Sequence, residues 1–202
     1  MTLHEDIEYL MAKALEYGAK RVAEMPASAM VVDPRARLKC IAPRCANYGR
    51  KLLCPPNVPS LDEVREFIGA YSVALLVQSP IPVPTETIER FADGKEADSV
   101  DKEAEYWEPI RRSQLEFDEM LRQVEREAFL SGYRFAAALG SEHCALCEEC
   151  VGPSGECRHP FKARPSMSAM GIDVFATARN AGLAIEIPPR EHSWWTGVLL
   201  LH

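Results

Sequence analysis

Seven cysteines fall in two short stretches of a 202-residue chain, and this constrains its folding more than any other feature. Cys40, Cys45 and Cys54 lie in a segment broken by Asp33-Pro34, Pro43, Pro55-Pro56 and Pro59. Cys144, Cys147, Cys150 and Cys157 follow in a second segment. Proline at these intervals removes backbone donors and fixes φ, so residues 33–59 are expected to be loop. The second group implies another irregular loop, over residues 141–165. Helices and strands must then come from the remainder.

Grouped thiols need an account. The N-terminal stretch MTLHEDIEYLMAKALEYG is acidic and amphipathic, without the basic start and apolar run of a signal peptide. No segment reaches about 18 uncharged apolar residues, so no membrane span is expected. These features predict a cytoplasmic protein, where disulfides are disfavoured. Isolated cysteines are usually small core hydrophobes, whereas clustered ones point to a metal. The formal charge of -7 favours solubility and argues against broad nucleic-acid binding.

The second group, Cys144-x2-Cys147-x2-Cys150-x6-Cys157, supplies four soft ligands. Successive x2 spacings let three thiolates wrap a compact cluster, as in the ferredoxin run, although Pro160 lies three residues beyond the last cysteine rather than next to it. Zinc more often takes its ligands as two separated pairs, and it stays open as the alternative. Glu142, Glu148 and Glu149 would lower a cluster's potential, while Lys162 and Arg164 would raise it. His143 and His159 read as donors around the ligands or as ordinary loop residues.

The first group, Cys40-x4-Cys45-x8-Cys54, is less diagnostic. Three thiols leave a fourth position that an open iron, or a distant ligand such as His4, His143 or His159, would fill. One site shared by both groups is the other arrangement. Arg35, Arg37, Lys39, Arg44, Arg50 and Lys51 make this neighbourhood basic in an acidic chain. Arg44, Arg50, Lys51 and Arg164 are the candidate anion-binding residues. No residue is assigned a catalytic role.

The remaining chain predicts a single mixed domain over residues 1–202, α/β or α+β. It would have a central sheet, flanking helices and the two cysteine loops. Apolar periodicity predicts helices over residues 3–17, after Ser60 with Leu61, Val64, Phe67 and Ile68 as the apolar face, over 111–131 with Leu115, Met120, Leu121, Val124 and Phe129 as core positions, and over 172–181. Ser60 and Glu63 form a capping-box pattern, and Asp173 is a candidate cap or buried acid. Strands are expected at residues 21–25, 29–32, 72–79, 133–139, 183–187 and 195–202. Residues 85–110 read as a charged insertion. Ser166 is a candidate cap of a short turn or helix, Met167, Met170 and Ile172 should pack behind the second loop, and Trp194 and Trp195 should alternate faces in a strand.

The motifs Cys40-x4-Cys45…Tyr48-Gly49…Cys54-Pro55-Pro56, CxxCxxC…CxxP and RPSMSAMGIDV occur in that order. Together they resemble a bacterial and archaeal family of metal-binding, iron-sulfur proteins, over residues 39–187. The resemblance implies that all seven cysteines are ligands, and it names no reaction. The expected function is a redox protein carrying one or two 4Fe-4S clusters, passing electrons to a protein partner or cofactor. One alternative is an enzyme whose Cys40/Cys45/Cys54 cluster keeps an open iron for a small anionic substrate. Another is a zinc-stabilised binding module. The sequence also permits a homodimer.

Overall fold

The computed structural model describes residues 3–92 and 104–202. Helix α1 (Leu3–Glu16) turns Ile7, Leu10 and Ala14 inward. Strand β1 (Arg21–Pro26) follows. After a helical turn, α2 (Leu38–Ile41), inside the first cysteine loop, comes α3 (Leu61–Gly69). The capping box forms: Ser60 Oγ accepts from the Glu63 amide, and the Glu63 carboxylate accepts from the Ser60 amide. Then come β2 (Val73–Pro80), α4 (Thr85–Ala92), α5 (Ala104–Leu130), β3 (Ala137–Leu139), α6 (Val174–Asn180) and β4 (Trp194–Leu201). Asp173 caps α6 by accepting from the Ala176 amide.

The sheet is antiparallel, in the order β1-β2-β4-β3. Its central strands are buried on both faces, so their side chains divide between two cores. Val73, Leu75, Val77, Leu199 and Leu201 meet α1 and α5 through Leu10, Phe117, Met120, Leu121 and Val124. Ala74, Leu76, Val198 and Leu200 meet Val64 and Ile68 of α3, Ala178 of α6, and Met167, Met170 and Ile172. The result is one mixed domain, a sheet layered between helices.

Several sequence expectations are corrected. Residues 29–32 make a single bridge, Val32 with Ile172, and no strand. Residues 183–187 form no strand. Leu183 and Ile185 do pack inward, but β4 already has partners on both sides, and the Leu183 carbonyl accepts from the buried Gln78 side chain. β3 is shorter than residues 133–139, because residues 133–136 form turns. α5 begins earlier than expected and carries Pro109 inside it. Within the expected charged insertion, α4 and the start of α5 are helical, and residues 93–103 lie outside the described residues. Phe129 is exposed, whereas Phe117 and Ala128 join the core. Among the described residues, no helix is long and apolar enough to cross a membrane.

Both cysteine loops are closed at their bases by the RPSMSAMGIDV segment. The Gly140 amide donates to the Pro165 carbonyl at 2.9 Å, and the Met167 amide donates to the Gly140 carbonyl at 2.9 Å. The Asp33 amide donates to Gly171, and the Asp173 amide to Val31, at 2.9 and 2.8 Å. The loops therefore leave the domain as neighbours.

Candidate metal centre

The structure sorts the seven thiols as four and three. Cys144, Cys147, Cys150 and Cys157 line one cavity. Cys40, Cys45 and Cys54 line a second. Each loop also walls the other's cavity. Lys51, Leu52 and Leu53 face the four-thiol cavity, while the next residue, Cys54, faces the three-thiol one. Glu142 and His143 face the three-thiol cavity, and the next residue, Cys144, faces the four-thiol one. Consecutive residues are only about 3.8 Å apart at Cα, so the partition is thin.

Polar contacts cross this partition. Lys51 Nζ donates to the Cys144 carbonyl at 2.9 Å. The Leu52 and Gly152 amides lie on the Cys150 sulfur's side and favour its ionised form. Gly152 has φ +73°, and a Cβ there would lie 3.3 Å from the Arg50 carbonyl. Glycine thus lets the loops touch at a position where a side chain would be strained.

The thiols sit in different fields. Burial pushes Cys54 up to about 11, against the pull of Lys51. Burial also raises Cys40, helped by Cys45, and raises Cys144. Cys150 is raised by burial, but the Gly152 and Leu52 amides, with Lys51 and Arg158, outweigh this and leave it lowered. The His159 amide donates to Cys157 Sγ at 3.4 Å. The amides beside Cys150 favour its thiolate.

The charged residues named from sequence take different roles in space. Lys51, adjacent in sequence to the first group, lines the second cavity. Glu142, adjacent to the second group, lines the first. Arg164 bonds Glu125 in two-pronged fashion at 2.9, 3.0 and 2.7 Å, which ties the loop's exit to α5. Arg35 pairs with Asp33, and Arg37 donates to the Ala169 and Pro59 carbonyls. Arg44 lies over the Tyr48 ring at 5.5 Å. The Arg50 side chain is exposed. His4 is on α1, beside Glu8, and not at either cavity.

Three residues of α5 that sequence reasoning did not single out support the site. Gln114 Nε2 donates to the His143 carbonyl at 2.8 Å. Burial holds Asp118 up at about 6, against Arg122 and Gln114. Glu125 joins Arg164 to the Ala138 amide of β3. Their spacing of four, then seven, puts them on one helix face, and that periodicity was the available signal.

No three Cys, His, Asp or Glu side chains among the described residues form a group that could hold a metal ion as they stand. Two adjoining thiol-lined cavities on a layered sheet still define a class, a thiol-rich protein with paired cysteine loops. A family model described as "Predicted metal-binding protein (DUF2284)" matches residues 23–201, and the chain belongs to that family. No curated protein and no solved structure matches it.

Proposed function

We propose that the protein is an iron-sulfur electron carrier with two centres, one on each cysteine group. The carrying observation is the sorting of seven thiols around two cavities that share one wall. Thiolate is the preferred donor of iron-sulfur clusters. A single zinc ion would draw its sulfurs to about 2.3 Å from one point, and so close to one another. A cube of irons and sulfides instead keeps its thiolates apart at its corners.

The amides aimed at Cys150 and Cys157 also suit a cluster, because hydrogen bonds to sulfur tune its potential. Leu52, Leu53, Leu146 and Val151 restrict water around the four-thiol cavity. When bound, a 4Fe-4S cluster supplies reversible one-electron transfer. The protein holds its thiolates, places Lys51 against the negative charge, and sets the second cavity immediately behind the partition. Two centres this close form a short path for electrons between a donor and an acceptor.

Anaerobic purification with iron, sulfide and zinc analysis tests the reading. Two cubanes give about eight irons and eight acid-labile sulfides per chain, and one gives about four of each. Reduction with dithionite should bleach the visible absorption reversibly and produce a paramagnetic signal. Zinc without sulfide, in a folded protein, would overturn the proposal.

A further inference from the structure

The three-thiol cavity lacks a fourth sulfur, and the structure presents one histidine to it. The chain has five histidines. His4 pairs with Glu8 on α1, His159 lines the four-thiol cavity, His192 packs edge-on against Trp194, and His202 contacts Ser72. Only His143 lines the cavity of Cys40, Cys45 and Cys54.

His143 is also held there. Its carbonyl accepts from Gln114 Nε2 at 2.8 Å, and Gln114 is a buried residue of α5. Its ring Nδ1 lies 3.6 Å from Glu142 Oε2, and Glu142 lines the same cavity. This is longer than a hydrogen bond, but a carboxylate on that side favours the proton on Nδ1 and leaves the Nε2 lone pair for a metal, the usual arrangement around a metal-bound imidazole. The oxygen donors nearby are less suited. Ser166 Oγ accepts from the Ala169 amide and contacts Ser168 Oγ at 3.3 Å. A carboxylate is also a harder ligand than imidazole for iron already bound to sulfide.

From this we infer that His143 is the fourth protein ligand of the three-cysteine centre, with Glu142 and Gln114 as positioning residues. The centre is then Cys3His, with its histidine delivered by the loop that carries the other centre. The inference rests on the iron-sulfur reading proposed above. It goes further by closing the site with a protein ligand instead of leaving an iron for substrate. The mixed set also makes the two centres unequal, because a neutral imidazole in place of a thiolate raises the potential of its cluster. Electrons entering the pair would collect on the three-cysteine centre.

The test uses the full chain, loaded anaerobically with iron and sulfide and reduced with dithionite. Pulsed paramagnetic resonance is compared between natural-abundance protein and protein grown with 15N-histidine. The expected result is a histidine nitrogen coupling in the parent chain, retained in His4→Ala and His159→Ala and lost in His143→Ala. His143→Cys should keep the parent iron and sulfide content without the coupling, which separates lost ligation from misfolding. Glu142→Gln should keep the coupling but release the first centre's iron to a chelator about tenfold faster, as changes behind a metal ligand do. Full iron and sulfide in the parent with no histidine coupling overturns the inference and leaves the iron-sulfur reading intact. So does a coupling that survives in His143→Ala. A parent chain without sulfide overturns the iron-sulfur reading itself.

Discussion

Two side chains near the cysteines carry opposite electrostatic jobs. Lys51 sits in the four-thiol cavity and donates to the Cys144 carbonyl, so its charge would oppose that of the proposed anionic cluster. Removing it should make an added electron less welcome. Lys51→Met is expected to lower that centre's midpoint potential by tens of millivolts, on the order of 1 kcal/mol at about 59 mV per tenfold change. A potentiometric titration that finds no shift would reduce Lys51 to a tether. Asp118 is the converse case. Burial holds its carboxyl at about 6, above its ordinary 3.8. Between those values the unfolded chain ionises first and binds fewer protons than the folded one, so stability falls as pH rises from about 4 to 6 and then levels off. The difference is worth about 1 to 3 kcal/mol, allowing for the partial exposure of Asp118. Denaturant titrations across that range should show the decline in the parent chain and not in Asp118→Asn, relative to one another. A parallel pH response in both would exclude Asp118 as its source.

Among the elements, α5 and β3 pack close against β4 at Gly197. A Cβ on Gly197 would lie 2.5 Å from Leu121 Cδ1, 2.8 Å from the Leu139 carbonyl and 3.1 Å from Phe117 Cε1. One of these is backbone of the neighbouring strand and cannot rotate away. Gly197→Ala should cost about 2 to 3 kcal/mol by overpacking, read as a lower denaturant midpoint with an unchanged slope. A midpoint within error of the parent would mean that α5 moves off the sheet freely. Elements of this kind were legible where a local rule acted alone. The Ser60–Glu63 box, the stripe of Ile7, Leu10 and Ala14, and the apolar run of β2 each carry their own signal. Residues 183–187 did not, because alternation shows burial but not whether a sheet edge is free. The same limit governs the site. Spacing identified the seven thiols and their two groups. It could not show that Lys51 and Glu142 would each serve the opposite group, since that exchange depends on how two loops lean together. Gln114, Asp118 and Glu125 were hidden because a polar face on a long helix reads as solvated until something covers it.

Across the molecule, the folded core and the cysteine loops rest on different forces. The sheet is held by two apolar cores whose members include none of the seven cysteines, whereas the loops are irregular chain pinned at their bases and to each other. Stripping the metal should therefore leave the layered sheet standing. Amide hydrogen exchange followed by mass spectrometry should find β2 and β4 still protected, with residues 33–59 and 141–165 exchanging faster. The interlock adds a sharper expectation. Lys51, Leu52 and Arg50 of one loop contact Cys144, Cys150 and Gly152 of the other. Breaking one centre should then loosen both loops. In Cys147→Ser, anaerobically loaded, residues 33–59 are expected to lose protection along with residues 141–165, and the iron of the Cys40, Cys45 and Cys54 centre should pass to a chelator faster than in the parent. Cys45→Ser should produce the reciprocal effect, as linkage between two coupled sites requires. If each variant disturbs only its own loop, the shared wall is a contact without coupling, and the two centres load and fold as separate units.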